Sequence, residues 1–125
     1  MTNSTSSNNL LAFILLFCSA SVMGVANLAT KTATNRAALI GGSYYAAILR
    51  QPFFYVGVLL VGVASVLWLK VMSSLGLSVA YPLFVGGTYL VVAIGSMFLF
   101  GEQLGAQRLI GVTVLFLGIV LVARS

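Results

Sequence analysis

Four apolar runs, each about the ~20 residues that cross ~30 Å of hydrocarbon as a helix, leave this chain few folds to adopt. They span roughly 10–30, 52–73, 77–100 and 107–123. Backbone groups in lipid must be satisfied within the protein, and none of the runs alternates as barrel strands do. The fold class that follows is all-α: an integral membrane bundle of four transmembrane helices in a single membrane domain, 10–125. Composition agrees. Charged residues make up 6% of the 125 residues, against about 25% in a soluble domain. Seven charged side chains cannot cover a water-facing surface of that size.

Before the first run, residues 1–9 (MTNSTSSNN) are polar, uncharged and unpatterned, and read as a flexible tail. The run after them lacks the basic n-region of a cleavable signal. Between the first and second runs lies a long loop, 31–51, holding Lys31, Arg36 and Arg50 and a short apolar stretch suited to the interface. The later connections are short, so the last three helices pack as antiparallel neighbours. Lys31, Arg36, Arg50 and Arg108 share one side, and Lys70 and Arg124 the other. Four basic residues against two favours both termini outside; insertion in both orientations also fits so small a bias.

The function classes narrow in the same way. With no His and a single acid, Glu102, the chain offers no carboxylate pair, metal cluster or phosphate loop. An enzyme is not expected, nor a cofactor or metal. The +5 charge is spread singly between apolar runs, as suits anionic lipid headgroups rather than nucleic acid. Lys31, Arg36, Arg50 and Lys70 are candidate contacts for a lipid phosphate, and ordinary snorkelling side chains on the alternative reading. Trp68 reads as an interfacial belt residue. Cys18, alone in an apolar run, reads as a packing residue.

Asn27, in the first run, either bonds across a helix interface or lines a cavity. Tyr81, Phe84 and Thr88 recur at helical spacing and share a face. Pro82, Gly86 and Gly87 permit either close packing or a hinge. Gly111 and Gly118 share a stripe suited to helix contact, within the monomer or between monomers. Glu102, in FGEQL, sits shortly before the fourth helix. There a carboxylate would meet the positive end of the dipole and cap free N–H groups, clasping the last two helices.

The run VLWLKVMSSLGLSVAYPLFVGGTYLVVAIGSMFLFGEQLGAQRLIGVTVLFLGIVLVA resembles the small four-helix proteins of the drug/metabolite transporter superfamily. The order VLWL, SVAYP, GE, then a glycine-spaced GIVL is most similar to subunits that flip aminoarabinose-phosphoundecaprenol. The small multidrug resistance exporters are more distant. In the first run the likeness rests on NLATK, Asn27 to Lys31. The resemblance implies a dimer, of identical or paralogous subunits, whose first three helices form a cavity. Tyr81 and Phe84 then fall at substrate-facing positions, Gly86 at a flexible glycine, and Gly111 and Gly118 at the dimer seam. Multidrug members carry a glutamate eight residues before the lysine that ends the first helix; here that residue is Met23. A carboxylate in the mid-bilayer costs about 2.5–3.5 kcal/mol on insertion scales and is kept for a task. Without it, neither proton exchange nor neutralisation of a cationic drug has an evident residue. The expectation is translocation of a lipid-linked sugar or polyprenyl phosphate across the bacterial inner membrane. The alternatives are export of small hydrophobic or cationic solutes, or an accessory subunit in a glycolipid pathway.

Overall fold

A computed structural model describes residues 2–125, with side chains from residue 6 onward. Five helices follow in order: α1 (Thr2–Ile40), α2 (Tyr44–Leu49), α3 (Pro52–Ser74), α4 (Leu77–Phe100) and α5 (Ala106–Arg124). Four of them, all but α2, are long and apolar enough to cross a membrane. Together they form an integral membrane bundle whose large exposed apolar side chains face outward, as lipid requires.

The first helix is much longer than its apolar run. It continues through the polar segment expected to be a tail and through the first part of the expected loop. Polarity marked the membrane boundary, but it does not stop a helix. From residue 2 to residue 40 there is no proline and one glycine, Gly24. Thr32 and Thr34 turn their hydroxyls onto the Leu28 and Lys31 carbonyls, at 3.0 and 2.8 Å. The stop comes at Gly41 and Gly42, both left-handed at φ 76° and 79°, where a side chain would be strained. The short α2 then folds back on α1, burying Ala47 beside Ala37 at that end. Tyr55 on α3 donates to the Leu49 carbonyl at 2.8 Å and fixes the turn into α3.

Small residues set the packing. Along α1, Ala12, Ser19, Ala26 and Ala33 recur every seven residues, and all four are buried. Along α3, Gly57, Ala64 and Val71 recur at the same interval and are buried as well. The two heptads face each other antiparallel: Gly57 lies against Ala26 and Thr30, and Ser19 donates to the Ala64 carbonyl at 2.8 Å. The α1–α4 seam uses a different period and runs parallel. Ala20, Gly24 and Leu28, four apart, meet Gly87, Val91 and Gly95, also four apart. Both patterns let backbones approach where no hydrophobic force drives helices together. Near the α3–α4 turn, Leu16, Val71 and Ala80 form the most enclosed cluster, flanked by Trp68 and Leu83.

The last helix is attached by one face only. Phe116 and Ile119 of α5 pack on Gly86 of α4, and α5 buries no residue of its own.

Candidate functional site

The candidate site is the groove between α1 and α4. One face of α4 supplies Phe84, Val85, Thr88, Tyr89 and Val92, at spacings that keep them on a single stripe. Asn27 of α1 closes the other side, giving a largely apolar cavity of about 310 Å³. The Thr88 hydroxyl donates to the Ala20 carbonyl at 3.4 Å and ties the two walls together. Asn27 has no hydrogen-bond partner among the described residues, which leaves its amide free to meet a ligand. No acid lines this cavity. Met23, half-buried one turn before Asn27, stands where the multidrug exporters' glutamate would be.

Three of the four residues expected to line a cavity, Asn27, Phe84 and Thr88, are therefore brought together. Tyr81 is not with them. It lies one turn nearer the α3–α4 connection, beside a separate hollow lined by Leu77, Ser78 and Pro82. Trp68 of α3 joins Tyr81 to the groove wall: its ring is 6.2 Å from Tyr81, edge-on, and 4.6 Å from Phe84. This corrects the belt reading of Trp68, whose ring is engaged within the protein. The signal was in the sequence, because the α3–α4 connection is so short that residues equidistant from it must meet.

The remaining candidates separate. Pro82 falls inside α4 rather than at its start, so the Ser78 carbonyl loses its usual donor. Gly86 and Gly87 sit at close approaches, to α5 and to Ala20 and Phe17 of α1 respectively. Gly111 and Gly118 face open space. Of the basic residues, Lys31, Arg36 and Arg50 lie at one end of the bundle and Lys70 at the other, so the four do not converge. Arg36 rests over the Phe53 ring, 4.6 Å from its centroid. Arg50 caps α2 and is exposed.

Glu102 is not a helix cap. Gly105 occupies the N-cap position of α5, without a side-chain cap bond, and no acid lies in the first turn of α5. Three residues separate Glu102 from that helix, too far for its carboxylate to serve the first N–H groups. Its backbone closes the preceding helix instead. Gly101, left-handed at φ 65°, and Glu102 both direct N–H groups to the Ser96 carbonyl at the end of α4. The carboxylate is left facing a second cavity of about 290 Å³, shared with Asn27, Lys31, Val92 and Ser96. Asn27 and Val92 line both cavities, so the two are successive parts of one groove.

Comparison with known proteins gives the groove a context. No family model matches the chain, and no solved structure matches it. It is 32% identical over 117 residues to the uncharacterized protein y4nH of Sinorhizobium fredii, covering 94% of this chain and 98% of that protein. It is 25% identical over 111 residues to a probable 4-amino-4-deoxy-L-arabinose-phosphoundecaprenol flippase subunit ArnE of Pseudomonas aeruginosa, covering 89% and 96%. The corresponding protein of Pseudomonas paraeruginosa is 24% identical over the same length. On this similarity, and with four membrane-spanning helices in place, the chain belongs to the family of y4nH among the small four-helix proteins of the drug/metabolite transporter superfamily, with the ArnE flippase subunits as lower-identity relatives.

Proposed function

We propose that this protein translocates a lipid-linked sugar or polyprenyl phosphate across the bacterial inner membrane, as one subunit of a dimer with a second four-helix chain. The observation that carries the reading is the α1–α4 groove: apolar along most of its length, free of any acid within α1, and ending at Lys31. A groove of that kind accepts a hydrocarbon tail and a phosphate more readily than a cation. Similarity to flippase subunits along most of the chain supports the same direction.

Basic residues stand at both ends of the bundle. Lys31, Arg36 and Arg50 can meet a lipid phosphate on one side, and Lys70 on the other. A substrate that reorients between leaflets meets a cation at either end. The substrate gradient can then drive transport, since no acid in α1 couples it to protons.

Reconstitution into liposomes tests this. A labelled polyprenyl-phosphate sugar is expected to cross faster than in protein-free vesicles, alone or with a paralogous subunit, at a rate unchanged when a proton gradient is collapsed. Lys31→Ala is expected to slow it. Translocation no faster than in protein-free vesicles under both conditions would overturn the proposal.

A further inference from the structure

The mouth of the groove holds a feature that phosphate binding alone does not explain. Lys31 and Glu102 line the same cavity, yet among the described residues they form no ion pair with each other or with anything else. Arg108, the next charge along the chain, lines a different hollow with Gln103. The Glu102 side chain makes no bond that holds the fold, since the turn is built by its backbone N–H and by Gly101. It is also the chain's only acid. Beside a purely anionic ligand this carboxylate would repel what Lys31 attracts. Opposite charges held apart across one cavity suit a ligand that carries both charges itself.

We infer that Lys31 and Glu102 form a dipolar headgroup site for a lipid bearing both a phosphate and an ammonium, with Glu102 as the residue that selects the ammonium. Lys31 takes the phosphate and Glu102 the amine. The neighbouring Asn27 amide and Ser96 hydroxyl border the same space. The apolar cavity that continues from Asn27 and Val92 receives the first part of the chain, which makes the ligand a lipid rather than a free headgroup. The inference rests on the translocation reading for its choice of ligand, and its test can fail separately.

The probes are dioleoyl phosphatidylethanolamine and its N-acetylated form, which keeps the phosphate and loses the cationic amine. They compete for the purified full-length protein in detergent, and retention is read by native mass spectrometry. The wild type is expected to prefer the free amine by about threefold, the size of one partly exposed ion pair. Glu102→Gln is expected to bring the ratio to unity while both lipids are still retained. Lys31→Gln is expected to weaken both and leave the ratio unchanged. Unaltered size-exclusion and thermal-melting profiles identify the folded variants, and Glu102→Asp, which keeps the charge, is expected to retain the preference. A wild-type ratio of unity, or a preference that survives Glu102→Gln, overturns the dipolar site. Lys31-dependent retention of both lipids would in that case leave the translocation reading standing. Displacement by an equal concentration of soluble phosphoethanolamine would overturn the assignment to a lipid.

Discussion

At Gly24 the backbones of α1 and α4 are so close that a single added carbon has nowhere to go. A Cβ there would stand 2.6 Å from both Cβ and Cγ1 of Val91, atoms fixed by a β-branched side chain inside a helix. Gly24→Ala is therefore expected to destabilise the folded protein by about 1–3 kcal/mol, the usual cost of overpacking. Gly62→Ala, where nothing lies within 4 Å, is the matched control and should melt like the wild type in the same detergent. Glu102 behaves oppositely. Its carboxylate makes no structural bond, so Glu102→Gln should shift stability by no more than about 0.5 kcal/mol, as ordinary surface substitutions do. A large loss of melting temperature in that variant would restore the clasp that the sequence suggested. The sequence put Glu102 near a helix start correctly. It could not show that the turn would be made of backbone bonds, leaving the side chain free for the groove.

For the helices, the lesson is in α1. Its membrane-spanning part was legible from apolar length, but both of its ends were misjudged because polarity was taken as the boundary. Water-facing turns of Thr, Asn, Lys and Arg propagate a helix as long as no backbone signal stops it, and here that signal is Gly41-Gly42. Gly41→Ala should cost about 1 kcal/mol, because the left-handed φ remains while the side chain penalises it. Amide exchange would show the loss as faster opening confined to the last turns of α1 and to α2. The seven-residue recurrence of small side chains in α1 and α3 was also readable, though only the structure pairs Ser19 with Ala64. Removing that bond with Ser19→Ala should cost about 0.6 kcal/mol, typical of a hydrogen bond between membrane helices. Asn27, Phe84 and Thr88 could be suspected from spacing within their own helices. That Asn27 faces α4 rather than lipid depends on which heptad of α1 is taken by α3, and no local pattern states this.

In the molecule as a whole, three helices are tightly joined and the fourth membrane-spanning helix is held along one edge. The remaining faces of α5, with Gly111 and Gly118 open, leave room for a second subunit. In a Cys18→Ser background, cysteines at positions 111 and 118 are expected to cross-link between subunits in membranes. Monomer alone, with labelling proving both thiols reactive, would argue against contact through this stripe. The groove, by contrast, is complete within one chain, and it carries the central claim. The most direct test is the initial rate at which a labelled polyprenyl-phosphate sugar crosses liposomes containing wild-type protein or Asn27→Leu. The groove should lose one ligand hydrogen bond worth about 1.5–3 kcal/mol at a charged group, so the rate is expected to fall about tenfold or more in a variant that still folds. A rate equal to wild type in folded Asn27→Leu would contradict passage through the α1–α4 groove.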